Sequence, residues 1–375
     1  MSPAACIAFR CDASIAIGTG HVRRCLSLAQ ALRQLGADCL FVTRQPDIDT
    51  AALIRAEDFE CLVLPATTPA GTGDPAPDDT VHATWLCGSQ MQDADDTLLA
   101  VARARRPTID WLLADHYALD ARWHGRVRLS LNCRVAAIDD LGDRQLDVEL
   151  LVDHNYAADH SAKYAGRLRS GALLLGGPRF ALLAPAYSSA PRHMQTATVR
   201  SIGIFMGGVD APGLARLALK ACLDAGFQGP VEIAATSACP HLAELRGAAA
   251  ARPGTTLTLD QPDLAGFFAR HDLQIGAGGG ATWERCCLGV PTIALETAEN
   301  QRQVLAPLCG LGVLEVAAPI ATSGRPSLES TLRTLLADPQ RRKALAARSR
   351  ELVDGNGARR AAESLLGLRN FHLTP

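Results

Sequence analysis

The sequence of 375 residues lacks the features that mark several classes of protein. It has no surplus of basic residues, since its formal net charge is −2, and this removes the electrostatic case for binding nucleic acid or an anionic membrane surface. No apolar run approaches the length that spans a bilayer. The N-terminal segment turns polar at Arg10–Asp12, too early for a secretory signal. We therefore expect a cytoplasmic protein that makes no stable membrane insertion.

Cysteine patterns typical of metal sites are also missing. Twelve cysteines are present, but none forms a CxxC pair, and most lie in apolar segments where a free thiol behaves as a small hydrophobic group. Cys286 and Cys287 are adjacent, so they cannot readily bind one ion together. We expect reduced thiols, no metal and no other cofactor.

The sequence does contain an alternation of strand-like and helix-like segments, which favours an α/β fold with parallel sheets. Its length suits two domains, and each half opens with a strand, a glycine turn and a helix. Ser188 to Ser201 is poor in large hydrophobic residues and is typical of a linker. We expect two Rossmann-like domains that face a cleft, residues 1–190 and 200–375, with the last helix free to pack back on the first domain.

The most informative segment is residues 275–301, IGAGGGATWERCCLGVPTIALETAENQ. A predicted strand breaks into glycines, and a helix is predicted from Ala281 to Leu288. Glycines between a strand and a helix let the backbone approach a ligand closely, and the first helical N–H groups attract an anion. We therefore predict that a phosphate group binds at Gly278, Gly279, Gly280 and Thr282. A tight turn without a ligand is the alternative.

Polar residues extend this predicted phosphate site. Glu284 lies in the first turn of the helix, where its carboxylate would repel phosphate, so a pair of hydroxyls such as those of a ribose is its expected partner. Asn300 and Gln301 follow the next strand, and the Asn300 amide could orient an N-acetyl group or a water molecule, or could be an ordinary turn residue. The order of phosphate, ribose and polar pair indicates a nucleotide-sugar site.

A second constellation lies at the first strand–helix junction, FRCDASIAIGTGHVRRC. Gly18 and Gly20 open the backbone just before His21, which falls at the start of a predicted helix. The helix N-terminus disfavours imidazolium, and neutral imidazole can accept a proton. A capping or core histidine is the alternative. Asp12 could orient His21, bind a sugar hydroxyl or merely end the first strand.

Other strand ends carry further candidates. Tyr117 follows the predicted strand Trp111 to Ala114 and could position water or sugar, although a packing tyrosine is nearly as plausible. Asp115, Gly207 and Gly208 also lie at strand ends, and we count them as substrate-binding residues. The pair Asp139–Asp140 resembles paired carboxylates, but adjacent strand residues point to opposite sides, so we rank one of them as structural.

Together these segments resemble the UDP-2,4-diacetamido-2,4,6-trideoxy-β-L-altropyranose hydrolases of pseudaminic acid biosynthesis. The matching stretches occur in order over about the first 300 residues and are RCDASIAIGTGHVRRCLSLA, WLCGSQMQDADDT, LLADHYALDARWH, AAIDDLGDRQLDVELLVDHN, GPRFALLAPAY, FMGGVD and GAGGGATWERCCLGVPT with AENQ. Each stretch alone is a weak signal. The combination of GTGHVRRC, DHYALD and WERCCLG is specific.

The resemblance implies a GT-B fold in which the C-terminal domain binds UDP. It implies that His21 is the general base, that Tyr117 and Asn300 assist, and that water attacks the anomeric carbon with inversion and without a metal. The implied partners are the UDP-sugar and other enzymes of the same sugar pathway. The main alternative is a GT-B glycosyltransferase that uses a UDP-amino sugar, and a UDP-N-acetylglucosamine 2-epimerase or a nucleotide-sugar-binding protein without activity fits the motifs less well.

Two departures from the family pattern concern the middle of the chain. The resemblance leads us to expect YALLRPEF where residues 180–187 read FALLAPAY, so that Ala184 and Ala186 replace an Arg and a Glu. After GGVD the expected Pro-x-Asn is replaced by Ala211–Gly213. Neither departure touches His21 or Glu284, so we expect them to alter details of substrate contact.

Overall fold

The structure is a computed structural model that describes residues 4–66, 80–104, 106, 108–261, 263–296, 301–318 and 326–370. It divides into two compact units. Unit 1 contains the chain up to Ala184 together with the segment from Asn356 onward, and unit 2 contains Pro185–Gly355. Among the residues described, no helix is both long enough and apolar enough to cross a membrane.

Unit 1 is built on a parallel sheet of seven strands in the order β3-β2-β1-β4-β5-β6-β7. Its strands are Cys6–Cys11 (β1), Asp38–Thr43 (β2), Glu60–Val63 (β3), Trp111–Asp115 (β4), Arg134–Ile138 (β5), Leu150–Asp153 (β6) and Leu173–Gly176 (β7). Its α-helices are Gly20–Gln34 (α1), Thr50–Arg55 (α2), Gln90–Arg103 (α3), Ala121–Leu131 (α4), His160–Lys163 (α5) and Gly357–Asn370 (α14). Short 3₁₀ turns occur at Ala83–Leu86 and Pro178–Phe180.

The C-terminal helix α14 packs against α1 and completes one face of this core. Ala358, Ala361, Ala362 and Leu365 are buried in the same apolar cluster as Val22 of α1. Three of these side chains are alanine, and small residues let two helices approach closely. Helix α1, which carries His21, is thus held between the sheet and the end of the chain.

Unit 2 is built on a parallel sheet of six strands in the order β10-β9-β8-β11-β12-β13. Its strands are Ile202–Phe205 (β8), Val231–Ala235 (β9), Thr255–Leu259 (β10), Leu273–Ala277 (β11), Thr292–Leu295 (β12) and Glu315–Ala317 (β13). Its helices are Pro185–Ser189 (α6), Leu214–Asp224 (α7), Leu242–Ala251 (α8), Ala265–Ala269 (α9), Ala281–Leu288 (α10), Arg302–Gly310 (α11), Leu328–Ala337 (α12) and Pro339–Leu352 (α13).

The predicted α/β class with parallel sheets is confirmed. The segment from Ser188 to Ser201, which was predicted to be a linker, is instead bonded to unit 2. The His193 N–H donates to the Leu288 carbonyl over 2.9 Å, and the buried Arg342 donates to the carbonyl of Ala197 over 2.7 Å. These bonds fasten the segment to unit 2. A segment with few large apolar side chains is therefore held in place by hydrogen bonds to its backbone groups.

Candidate active site

The first strand–helix junction of unit 1 places His21 at the second residue of α1. Gly18 adopts a φ of +76°, which favours glycine, and its N–H donates to the Ser14 carbonyl over 2.7 Å to close the turn. A Cβ added to Gly20 would meet no atom within 4 Å. Gly18 is therefore required by the backbone, whereas Gly20 leaves open space beside His21.

His21 is held by a carboxylate from the neighbouring strand. Strand β1 pairs with β4 so that Cys11 lies opposite Asp115, which brings the last residue of β4 to the first junction. The Nδ1 of His21 lies 2.6 Å from Oδ1 of the fully buried Asp115. Because an ionised carboxylate only accepts hydrogen bonds, this contact puts the ring proton on Nδ1 and leaves Nε2 as the proton acceptor.

Arg24, one helical turn after His21, fixes the charge of that carboxylate. Its Nη2 and Nε donate to the two oxygens of Asp115, each over 2.6 Å. Nη2 also lies 3.2 Å from Nδ1 of His21. The contact between Nδ1 and Asp115 is shorter, at 2.6 Å, so the proton on Nδ1 is donated to Asp115. Burial alone would raise the pKa of Asp115, and the Arg24 guanidinium reverses this and holds it well below its usual range. Asp115 is therefore an ionised group that orients His21.

Tyr117 contacts His21 through its ring. The two ring centroids are 4.6 Å apart in an edge-on arrangement of 77°, and the Tyr117 hydroxyl donates to Asp140. Asp140 also accepts from Nδ2 of Asn155 over 2.6 Å. Burial, and next the Asp140 carboxylate, raise the pKa of Tyr117 far above its ordinary value. The phenol remains protonated, and its catalytic role stays a prediction.

Asp12 does not orient His21, which is one of the roles that its sequence position allowed. Its Oδ1 accepts from the backbone N–H of Arg44 over 2.7 Å and from the buried Arg10 guanidinium. The residue that orients His21 is Asp115, which we had counted as a substrate-binding residue. Asp139, fully buried, accepts from Gly142 and Arg144, so it is the structural member of the Asp139–Asp140 pair.

In unit 2 the glycine turn after β8 supports the start of α7. Gly207 adopts a φ of +91°, and the Gly208 carbonyl accepts from the Thr236 hydroxyl. Asp210 accepts from the N–H groups of Leu214 and Ala215 over 2.8 and 3.0 Å and so caps the helix. These contacts explain the turn structurally, and substrate binding by Gly207 and Gly208 stays a prediction.

The glycines after β11 divide into two kinds. A Cβ on Gly278 would lie 2.5 Å from Cδ1 of Leu305, so packing requires this glycine. A Cβ on Gly280 would meet no atom within 4 Å, and one on Gly279 would meet only Nε2 of Gln301 at 3.9 Å. The open side of the turn, where a ligand can approach the backbone, is therefore at Gly279 and Gly280.

The N–H groups of this turn narrow the predicted phosphate site. The Gly278 N–H donates to Leu295, and the Thr282 N–H donates to the Gly279 carbonyl over 2.9 Å. Among the residues described, the N–H groups of Gly279, Gly280 and Ala281 have no acceptor. Of the predicted stretch from Gly278 to Thr282, only these three N–H groups of the described residues are thus available to an anion, and phosphate binding stays a prediction.

The remaining predicted residues of unit 2 have mixed outcomes. The Thr282 side chain is buried and accepts from Nη2 of Arg285 over 3.3 Å, so it faces inward. Glu284 is half-buried, and its carboxylate lies near enough to Tyr187 to raise the pKa of that phenol, after burial. Gln301 lies beside Gly279 as noted, and Asn300 lies outside the described residues.

The sequence analysis did not identify two arginines, Arg24 and Arg285, whose hydrogen bonds hold residues of these sites in place. Arg24 holds Asp115, and its signal was the spacing of three residues from His21 on one helix face. Arg285 is fully buried, and its Nη2 donates to the Ala277 carbonyl over 2.7 Å, which ties α10 to the end of β11. Burial lowers the pKa of Arg285 to about 10. Arg285 stands in the stretch WERCCLG, but that stretch gave no sign that its guanidinium is buried.

Comparison with known proteins identifies the architecture. No protein-family model matches the chain. The spore coat polysaccharide biosynthesis protein SpsG of Bacillus subtilis (strain 168) is 22% identical over 292 residues, which cover 76% of this chain and 75% of that protein. This identity marks a distant relative.

Solved structures match over almost the whole chain. MurG of Acinetobacter baumannii superimposes with a TM-score of 0.65 at 14% identity and covers 97% of this chain and 100% of its own. CalG4, the calicheamicin glycosyltransferase, gives 0.64 at 15% identity, with 99% and 100% covered. LpCGTa, solved in complex with UDP, gives 0.62 at 14% identity, with 98% and 99% covered. The chain therefore has the GT-B-like fold of these glycosyltransferases, as the sequence led us to expect.

Proposed function

We propose that the protein transfers a sugar from a UDP-linked amino sugar to a hydroxyl group, with inversion at the anomeric carbon. The observation that carries the proposal is the contact between His21 and Asp115, which leaves Nε2 of a buried imidazole as a proton acceptor. The choice of UDP is supported by the glycine turn with Glu284 and by the fold shared with UDP-binding and TDP-binding enzymes.

In the proposed reaction, Nε2 of His21 takes the proton of the acceptor hydroxyl while its oxygen forms a bond to the anomeric carbon. The bond between that carbon and the phosphate oxygen breaks, and UDP leaves with the electron pair. The N–H groups of Gly279, Gly280 and Ala281 would meet the charge that develops on the pyrophosphate. Glu284 would accept hydrogen bonds from the ribose hydroxyls, and Asp115 would stabilise the imidazolium that forms.

Water is the second candidate for the attacking hydroxyl, which would make the protein a hydrolase. The motif combination around His21 and Glu284 supports it, as the resemblance to UDP-2,4-diacetamido-2,4,6-trideoxy-β-L-altropyranose hydrolases implies. The burial of His21 also favours it, because only 7% of the residue is exposed and a buried base suits a small acceptor. The similarity to solved glycosyltransferases favours a larger acceptor.

One experiment separates the two candidates. The protein is incubated with UDP-amino sugars in H₂¹⁸O, with and without a mixture of hydroxyl acceptors, and released UDP and labelled sugar are measured. Hydrolysis gives UDP without acceptor and puts ¹⁸O into the free sugar, whereas transfer requires the acceptor and leaves the label out. Release of no UDP under any condition, from a protein that binds UDP, would refute both.

Replacing His21 with Asn tests the base in the same assay. We expect kcat to fall by about 10²–10⁴-fold with KM little changed, because the basic nitrogen acts mainly in the transition state. His241→Asn is a matched control in unit 2, where Nε2 lies 2.9 Å from the Ala211 carbonyl oxygen and the ring packs on Gly213. A normal kcat for His21→Asn would remove His21 from the mechanism.

A further inference from the structure

Two further rings, His82 and Trp85, lie next to Tyr117 in unit 1. The 3₁₀ turn Ala83–Leu86 presents Trp85, whose ring centroid is 5.9 Å from that of Tyr117. His82 lies 4.3 Å from Trp85 and 5.5 Å from Tyr117, again between ring centroids. Since Tyr117 contacts His21 directly, His82 and Trp85 stand one ring away from the proposed base.

The exposure of these rings distinguishes them from core packing. Trp85 is partly exposed, whereas the other three tryptophans, Trp111, Trp123 and Trp283, are at most 1% exposed. His82 is also partly exposed, while Tyr117 beneath it is buried. Within the described part of the chain, no ring nitrogen of His82 or Trp85 makes a hydrogen bond. The two rings therefore offer aromatic surface and polar edges to a ligand.

We infer that His82 and Trp85 form the wall of a sugar subsite and stack on the apolar C–H face of the donor's hexose ring. The inference rests on the proposed function, which assigns the nucleotide to unit 2 and the attacking hydroxyl to His21. A group that lies against these rings is next to the atom that is attacked, and in the donor that group is the sugar. The electron-rich face of an aromatic ring attracts the polarised C–H groups of a pyranose.

Tryptophan fluorescence tests this assignment directly, because Trp85 is the tryptophan that a quencher in solution can reach. The His21→Asn variant is used so that the donor is not consumed. Saturating UDP-N-acetylglucosamine should lower the acrylamide quenching constant by about twofold or more, whereas saturating UDP should leave it nearly unchanged. Trp85→Phe should abolish the difference and retain the affinity for UDP.

Kinetics of the otherwise wild-type protein give a second readout. Trp85→Leu should raise KM for the UDP-sugar by about 3–10-fold, and Trp85→Phe should restore most of it, because phenylalanine keeps an aromatic face. The inhibition constant of UDP should change by less than about twofold in both variants. His82→Leu should also raise KM for the UDP-sugar.

The outcomes are distinct. Equal protection of Trp85 by UDP alone would place the nucleotide on the rings, and no protection by the UDP-sugar at saturation would make them packing groups; either overturns the inference. Protection only when a separate acceptor is added would assign the rings to the acceptor and overturn it as well. A protein that binds neither UDP nor UDP-sugar would instead refute the proposed function on which the inference rests.

Discussion

The two units end their site-bearing strands in different ways. In unit 1, β4 ends at Asp115, a buried carboxylate that contacts His21 at 2.6 Å and is held by Arg24. In unit 2, β11 is followed by Gly279 and Gly280, whose backbone N–H groups have no acceptor among the described residues and where an added Cβ would meet almost no atom. The first candidate site is made of charged side chains, and the second is made of backbone.

This difference predicts how each site responds to change. A side-chain site loses its chemistry when one atom is replaced, because each proton donor or acceptor is unique. A backbone site keeps its N–H groups under most substitutions that preserve the turn, so its losses are graded. We therefore expect large effects on turnover from unit 1 and moderate effects on affinity from unit 2.

The largest expected effect comes from Asp115→Asn. The amide would donate to Nδ1 of His21 and hold the ring in the wrong tautomer, so that Nε2 carries the proton. We expect kcat to fall by about 10²–10⁴-fold while the affinity for UDP, measured by calorimetry, stays unchanged. The NMR signals of the His21 ring nitrogens should show the tautomer change.

Loss of the ion pair with Arg24 will also destabilise unit 1, so a control must separate the two effects. Asp96→Asn removes another buried carboxylate of unit 1, which pairs with Arg44 at 2.9 Å. We expect it to lower the melting temperature and to spare kcat below that temperature. An equal loss of kcat in both variants would show that Asp115 acts only through stability.

The second effect concerns pH, because unit 1 buries three histidines in addition to His21. Burial is the main cause that lowers the pKa of His116 to about 4, of His124 to about 3 and of His154 to about 4. Below pH 6.5 the unfolded chain binds these protons and the folded chain does not, so the free energy of unfolding falls until the folded pKa is reached. Each histidine contributes up to about 1.4 kcal/mol per pH unit in that window.

Hydrogen exchange at pH 7 and pH 5, corrected for the intrinsic exchange rates, measures the loss of unfolding free energy for each unit separately. We expect the core strands of unit 1 to lose more protection than those of unit 2. His124→Leu should flatten the pH dependence of unit 1, whatever it does to stability at pH 7. Equal losses in the two units would show that these histidines do not control acid stability.

The same comparison explains which parts of the molecule the sequence could predict. Glycine turns and strand patterns are local, so the β11 turn and the ends of α10 at Ala281 and Leu288 were predicted as they occur. The bond between His21 and Asp115 joins residues 94 positions apart and depends on the pairing of β1 with β4. Sequence analysis named both residues but could not pair them, and it named Asp12 as a candidate partner.

A third, moderate effect is expected from Glu284→Ala in unit 2. If the carboxylate accepts from both ribose hydroxyls, its loss should weaken UDP binding by about 1–3 kcal/mol and leave kcat nearly unchanged at saturating donor. Glu244→Ala, which removes a carboxylate from the first turn of α8, is the matched control. Calorimetry that gives the same UDP affinity for all three proteins would place Glu284 outside the nucleotide site.

The smallest effect should come from Tyr187→Phe, where the family resemblance leads us to expect Phe. Tyr187 lies near the Glu284 carboxylate, and burial, together with that carboxylate, raises the pKa of Tyr187 far above its ordinary value. The phenol therefore stays protonated at any working pH, and we expect its hydroxyl to orient Glu284 when the ribose binds. Its removal should weaken UDP binding by about 0.5–1.5 kcal/mol. The effect should vanish in a Glu284→Ala background, since Tyr187 would then have no carboxylate to hold. Additive losses in the double variant would show instead that Tyr187 stabilises the fold of unit 2 independently of the ribose contact.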